Sequence, residues 1–323
     1  METLRSGQPF DLTPASADAS FRRYFRARFA NADTLIVMDA PPAHEDCRPF
    51  VHVADLLSRA GLTAPRVLAQ DLEQGFLLLT DLGDTTYLAA LNEDRTRGRA
   101  LFEDATAALI RWQLASDPGE LPPYDAALLR RELELFPDWY LARHLGTALT
   151  PAQKEALERT FALIIASNLA QPKVYVHRDY MPRNLMLSDP NPGILDFQDA
   201  VYGPITYDVA SLFRDAFISW DEEEVLDWTV RYWERALKAG LPVDADFGAF
   251  YRDFEWMGLQ RHLKVLGIFA RLRYRDGKSG YVEDTPRFVG YVRTVASRYN
   301  ALKPLLRLFD DIEGRPAGVG YSF

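Results

Sequence analysis

The chain is poor in cysteine: Cys47 is the one example in 323 residues. A single thiol forms no intramolecular disulfide and builds no cysteine-based metal site. The N-terminal stretch METLRSGQPFDLTP holds no apolar run of signal-peptide length. Nowhere does an uninterrupted apolar run approach the about 18 residues that suggest a membrane span. A cytoplasmic protein without a membrane partner is therefore expected. Basic charge is also short, with 37 Lys and Arg against 46 Asp and Glu, a net charge of −9. A protein that lives on nucleic acid has to neutralise phosphates, so this balance argues against nucleic acid as the main partner. Internal repeats and low-complexity tracts are absent.

Apolar residues make up 48% of the chain and charged residues 26%, as in ordinary globular enzymes. The length exceeds what one hydrophobic core usually serves, which implies two lobes. FRRYFRARF (21–29) and TLIVMDA (34–40) predict two strands joined by a turn at 31–33, a hairpin closed by Pro41 and Pro42. Residues 47–60 carry a helical stripe of Phe50, Val53, Ala54 and Leu57, followed by Gly61 as a stop. PRVLAQ (65–70) and FLLLT (76–80) predict two further strands. The pattern changes after 81–84, where helices are expected over 85–92, 98–116, 125–145 and 151–169. The last of these starts with Thr150, Pro151 and Gln153, the signature of a capping box. Short strands return at 174–176, 184–187 and 193–196, and the chain is again helical from 205 to about 305. The expected class is α+β, with a small β-rich lobe over 1–80, a hinge at 81–84 and a large, mainly helical lobe over 85–323.

The stretch VYVHRDYMPRNLML (174–187) places charged and polar side chains between two pieces of buried strand. Its spacing is His177-x-Asp179-x-x-x-x-Asn184, with Asp196 twelve residues further on in ILDFQD. That matches the phosphoryl-transfer pattern H-R-D-x-x-x-x-N followed by a metal-binding aspartate. Such chemistry needs positioning and charge neutralisation more than covalent help. Asp179 has the place of the carboxylate that accepts the attacking hydroxyl's proton. Asp196 and Asn184 offer the hard oxygen ligands that Mg²⁺ prefers beside ATP phosphates. Pro182 stiffens the loop, and His177 is expected to brace it.

On these residues, and on the longer run YVHRDYMPRNLML…GILDFQDAVYGPITYDVASLF, the chain resembles the aminoglycoside phosphotransferase and choline kinase family. Within it, FRRYFR, LIVMDAPP, LLTDLG, RRELELFPDWYL, HRDYMPRNLM and LDFQDAVYGPITYDVASLFRD resemble the anomeric amino-sugar kinases of bacterial cell-wall recycling. The resemblance covers about residues 10–300. It implies a protein-kinase-like two-lobe fold, ATP as co-substrate, Mg²⁺, and phosphorylation of N-acetylmuramate and N-acetylglucosamine to the sugar 1-phosphate in peptidoglycan recycling. It also matches Asp208 to an aspartate that hydrogen-bonds the catalytic loop, a role compatible with capping a helix.

The chain departs from the kinase pattern in its first lobe. The expected lysine position holds Met38 and its expected glutamate partner Phe50, so both ends of an ion pair are missing together. A lone buried charge would have been costly. The phosphate-covering stretch ASADASFRRYFR (15–26) has no glycine. Ser20, Arg22 and Arg23 are the candidate phosphate-binding groups, with Arg22 or Arg23 replacing the lysine. Backbone near Thr80 and Leu82 is expected to meet adenine. Other signals fail: DGKS (276–279) lacks the P-loop's first glycine because Leu272 stands there, and His44, Glu45 and Cys47 lie too close in sequence to converge on one ion.

For the acceptor, Trp139 and Tyr140 on one helix and Arg261, His262 and Arg271 on another are the candidates. Aromatics would stack on a sugar, and an arginine would take a carboxylate bidentately. Three functional classes stay open at this point. The first is the amino-sugar kinase. The second is a kinase of another hydroxylated metabolite, an aminoglycoside or a choline-like compound, for which the acidic run 221–224 is a candidate. The third is a non-catalytic nucleotide-binding protein of the same fold.

Overall fold

A computed structural model describes residues 8–16 and 21–314. The chain divides into two compact units, one made of residues up to Leu121 together with His177–Val201, the other of Pro122–Val176 and Tyr202 onward. The first unit thus runs past the connector at 81–84 and takes in the catalytic-loop segment.

The first unit carries a five-stranded antiparallel sheet. Its strands are β1 (Phe10–Ser16), β2 (Arg23–Phe29), β3 (Thr34–Asp39), β4 (Val67–Asp71) and β5 (Phe76–Thr80), in the order β1-β2-β3-β5-β4. The β2–β3 hairpin appears where the two strand-like runs and the turn between them placed it. Met38 pairs with Tyr24 on one side and Leu77 on the other, which centres it in the sheet and leaves it fully buried. Strand β1 was not expected. It sits at the edge, where the missing N–H of Pro14 removes no essential ladder bond. Helix α1 (Arg48–Arg59) follows with Phe50, Val53, Ala54 and Leu57 buried, as its stripe predicted. Gly75 is a sterically required glycine. Its φ is +77°, and a Cβ there would lie 1.9 Å from the carbonyl oxygen of Ala40. Helices α2 (Tyr87–Glu93) and α3 (Gly98–Leu114) complete this part.

The second unit is mainly helical: α4 (Ala126–Leu135), α5 (Pro151–Ala170), α6 (Tyr207–Phe213), α7 (Glu222–Ala239), α8 (Phe247–Asp276), α9 (Thr285–Arg298) and α10 (Lys303–Glu313). The capping box of α5 is present: Gln153 N–H donates to Thr150 Oγ1 at 3.3 Å and Thr150 N–H to Gln153 Oε1 at 3.0 Å. The core packs Leu133 and Phe136 with Leu259, Leu263 and Leu266 of α8 and Phe288 and Val292 of α9. The helix expected over 125–145 splits. After Leu135 the chain widens into a π-helical stretch, Phe136–His144. Leu145 N–H then reaches Tyr140 O, five residues back, at 3.0 Å. Helix α8 passes against this junction at Gly267, where a Cβ would lie 2.4 Å from the Leu135 carbonyl. The α+β architecture expected from sequence is the one observed.

Candidate active site

Strand β6 (Lys173–Val176) is buried and hands the chain to His177. A short 3₁₀ turn at Pro182–Asn184 leads into β7 (Leu185–Met186), which pairs with β8 (Gly193–Ile194), and β8 leads to Asp196. This pairing folds the two halves of the motif together. Asn184 is the node: its Nδ2 donates to the Asp179 carbonyl at 2.9 Å and lies 3.4 Å from Asp196 Oδ2, while its carbonyl accepts from Leu195 N–H at 2.9 Å. Gln198 Nε2 donates to the other Asp196 oxygen at 2.9 Å. Asp196 itself is exposed, with a left-handed φ of +61°, and Arg178 has φ +76°. L-residues rarely adopt this region, and such conformations concentrate where geometry serves function.

His177 is buried beneath this loop. Its Nδ1 accepts from Asp179 N–H at 3.3 Å, and its ring meets Tyr180 edge-on at 5.6 Å. Burial pulls the imidazole down to about 4, against the opposing pull of Asp179 and a backbone contact at Leu195. It is therefore neutral at working pH and in contact with both the Asp179 and Leu195 segments. Because the folded value lies below the ordinary 6.5, this contact stabilises the fold above about 6.5, and that contribution fades as pH falls toward about 4. His177→Gln is expected to flatten this part of the stability–pH curve. Urea unfolding of both proteins from pH 4 to 7 checks it, and parallel curves would remove the assignment.

The positions of the missing lysine and glutamate hold buried apolar side chains. Met38 and Phe50 are both buried, and the Phe50 ring lies 4.7 Å from that of Phe197, the residue after Asp196. Helix α1 is thus joined to the Asp196 segment by an aromatic contact. Of the two candidate arginines, Arg22 is largely buried and pairs with Glu45 at 2.9 Å, while Arg23 is 63% exposed and pairs with Asp39. Ser20 lies outside the described residues. Thr80 Oγ1 accepts from Arg66 N–H at 2.9 Å, and Leu82 packs toward Gly193, whose Cβ would meet it at 3.0 Å.

Sequence reasoning missed Arg26. It projects from β2 to the connector, with Nε and Nη2 on the Asp81 carboxylate at 2.6 and 2.9 Å and a bond to the Gly83 carbonyl at 2.8 Å. Burial pushes the Asp81 carboxyl up, but Arg26 and the Gly83 amide outweigh it and hold it below its ordinary value. The arginines of FRRYFR were the available signal; the partner of Arg26 lies 55 residues away.

The acceptor candidates lie in the second unit. Trp139 and Tyr140 are on the π-helical stretch, and both pack on the hydrophobic core. The Tyr140 ring stacks on Phe136 at 5.7 Å, and burial raises its hydroxyl to about 12. His262 is fully buried against the Tyr291 ring at 4.8 Å, and desolvation holds it well below its usual value. Arg271 is half-buried, its pKa lowered by burial and by Arg275. Arg261 is 3% exposed and lies over the Tyr207 ring, 5.5 Å from its centroid.

Residues 11–247 match the model of the phosphotransferase enzyme family. The chain belongs to that family. It is a small-molecule kinase, a phosphotransferase with an alcohol group as acceptor. It is 56% identical to the N-acetylmuramate/N-acetylglucosamine kinase of Pseudomonas aeruginosa, over 92% of this chain and 87% of that one. It is 50% identical to the protein of the same name from Neisseria meningitidis, over 100% of this chain and 97% of the other. Among solved structures it is similar to a putative aminoglycoside phosphotransferase from Ralstonia eutropha, with TM-score 0.62 and 14% identity over 92% of this chain and 93% of that chain. An ADP-bound aminoglycoside phosphotransferase gives TM-score 0.58 at 14% identity, over 88% of this chain and 93% of that one. These structures establish a fold of the protein-kinase-like kind for the phosphotransferase described above.

Proposed function

We propose that the protein is an ATP- and Mg²⁺-dependent cytoplasmic kinase that converts N-acetylmuramate and N-acetylglucosamine to their 1-phosphates in peptidoglycan recycling. The observation that carries the mechanism is the joining of Asp179, Asn184 and Asp196 through one amide group. The acceptor choice rests on relatives of 50% and 56% identity that bear that name across nearly the whole chain.

Asp179 accepts the proton of the anomeric hydroxyl and aims its oxygen at the γ-phosphorus. Asp196 and Asn184 fit Mg²⁺. They present hard oxygen donors without forming a full cage, and among the described residues no group of three or more His, Cys, Asp or Glu side chains converges. When bound, the ion neutralises charge on the transferring phosphoryl group. Asn184 fixes the distance between the base and the metal-binding carboxylate, and Gln198 orients that carboxylate. Arg22, held by Glu45, takes the place of the absent lysine. Residues up to 80 cover the nucleotide, and the connector 81–84, held by Arg26, serves as the hinge.

Release of ADP from Mg·ATP, measured across N-acetylmuramate, N-acetylglucosamine, unmodified hexoses, choline and an aminoglycoside, tests this reading. Turnover on the two N-acetyl sugars is expected, with the product phosphate on the anomeric carbon by NMR. Turnover on choline or the aminoglycoside alone would discard the substrate. ATP binding with no turnover on any acceptor would favour a non-catalytic protein.

A further inference from the structure

Within the first unit, Arg26 gathers three chain segments at one point. On β2 it stands opposite Ile36 of β3, and Ile36 stands opposite Leu79 of β5. Residues directly opposite share a face of the sheet, and so do residues two apart on a strand. Arg26 therefore leaves the sheet on the face that carries Met38, where the kinase pattern has its phosphate-binding lysine. Its guanidinium then reaches the connector. Nε and Nη2 take the two Asp81 oxygens at 2.6 and 2.9 Å, Nη2 also donates to the Gly83 carbonyl at 2.8 Å, and Nη1 meets Asp84. The Thr34 hydroxyl, from the start of β3, donates to the same Asp81 carboxylate. The Arg26 and Asp81 side chains are only 11% and 5% exposed. An ion pair so far from water adds little net stability, because desolvation offsets the attraction. What it does supply is a fixed geometry, since a bidentate pair sets distance and plane together.

The residue held by this arrangement is Leu82. On one side of it, Gly83 uses both of its backbone groups: its N–H donates to Asp81 Oδ1 at 3.0 Å and its carbonyl accepts from Arg26. Gly83 is exposed at φ +94° and has no side chain to anchor it, so these bonds fix its place. The Leu82 side chain packs toward Gly193, whose Cβ would meet it at 3.0 Å. Between these anchors the Leu82 N–H has no hydrogen-bond partner among the described residues. A fixed, unused amide donor discriminates between purines. Adenine presents an acceptor at N1 and guanine presents a donor there, so guanine would set N–H against N–H and leave both unpaired.

We propose that Arg26 is a positioning residue that sets base specificity: through Asp81 and Gly83 it fixes the Leu82 amide, so that the site takes adenine and rejects guanine. This rests on the ATP reading above. Arg26 does not touch the nucleotide in this role. It keeps the connector from shifting by the small amount that would let a guanine base find other partners, and the triphosphate is bound elsewhere in the same unit.

The test is calorimetric titration of wild type, Arg26→Met, Arg26→Lys and Asp81→Asn with Mg·ATP, Mg·GTP and Mg·tripolyphosphate, which needs no acceptor. Wild type is expected to bind ATP about 10- to 100-fold more tightly than GTP, the worth of one hydrogen bond made against one left unmade. Arg26→Met should lose most of that preference by weakening ATP, with tripolyphosphate affinity within a few-fold of wild type. Arg26→Lys, which keeps the charge and loses the fork, should retain part of the preference. Asp81→Asn keeps the shape and the Gly83 bond, and should fall between wild type and Arg26→Met. Should Arg26→Met fail to fold, the other two variants carry the same comparison. A preference for ATP that survives in every folded variant would overturn the proposal. So would equal losses for ATP, GTP and tripolyphosphate, which is the pattern of general damage to the fold, or a wild type that binds the two nucleotides alike. A wild type that binds no nucleotide would instead sink the ATP reading, and the inference with it.

Discussion

Asp179→Asn is expected to lower kcat about 10²- to 10⁴-fold, the range typical for loss of a positioned general base. The loop should survive the change, because its geometry does not depend on that carboxylate. The bonds that hold it run through the backbone: Asp179 N–H to His177 Nδ1 at 3.3 Å, and the Asp179 carbonyl to Asn184 Nδ2 at 2.9 Å. Asparagine has nearly the same shape and keeps both. What it loses is the ability to accept a proton from the attacking hydroxyl. Single-turnover kinetics with Mg·ATP and N-acetylmuramate would report the chemical step, and a nucleotide titration would report binding. The fall should lie in the chemical step, with nucleotide affinity within a few-fold of wild type. A kcat within about tenfold of wild type would remove Asp179 from the base role, since general-base catalysis contributes at least about 10²-fold.

The parts of this molecule legible in its sequence are those fixed by local physics. The runs 21–29 and 34–40, separated by a short turn, announced the β2–β3 hairpin, because strand-forming runs so joined pair with each other. Thr150, Pro151 and Gln153 announced the start of α5, because a capping box is made within four residues. The catalytic segment was legible for a similar reason: His177, Asp179 and Asn184 belong to one loop, so their spacing is itself the geometry. The β1 strand was not legible, since Pro14 reads as a break unless the strand is known to lie at an edge. Nor was the π-helical turn, whose i→i+5 bonds are set by packing against α8 at Gly267, far away in sequence.

Charge pairing was the least legible feature. Arg22, Arg23 and Arg26 look alike in FRRYFR, yet their partners are Glu45, Asp39 and Asp81. Arg261, Lys264 and Arg271 likewise sit on one helix with similar local surroundings. Lys264 finds Glu132 across the fold, Arg271 is half-buried, and Arg261 is buried over the Tyr207 ring with Asp215 feeling its charge. Periodicity cannot separate them, because α8 is buried over most of its circumference around 254–270. The missing glutamate was legible as an absence, but the contact made by the Phe50 in its place was not. Phe50 against Phe197 is a contact between segments 147 positions apart, and only the folded chain brings them together.

Asp196→Gly separates the structural from the chemical demands on this position. An L-residue at φ +61° carries about 1–2 kcal/mol of backbone strain, somewhat less for aspartate, which tolerates this region better than most. Glycine removes that strain. The same change deletes the hydrogen bond from Gln198, worth about 1.5–3 kcal/mol to a charged acceptor, although the exposure of Asp196 brings this toward the lower end. The two terms oppose each other, so the unfolding free energy should move by no more than about 1–2 kcal/mol. Activity should fall about 10²- to 10³-fold or further, since the carboxylate proposed to hold the metal is gone. Asp196→Asn supplies the control: it keeps an oxygen for Gln198 and tolerates the left-handed backbone, but it has no charge. Its activity should fall nearly as far, and saturation should require a higher Mg²⁺ concentration than in wild type. Urea unfolding and steady-state ADP release over a Mg²⁺ series read both quantities. A glycine variant that keeps more than about a tenth of wild-type activity would show that the carboxylate is not a metal ligand, because the loss expected of one is larger. If Asp196→Asn alone retained activity, the position would serve by shape and hydrogen bonding, and the strained backbone would have to be explained by the bond to Gln198 instead.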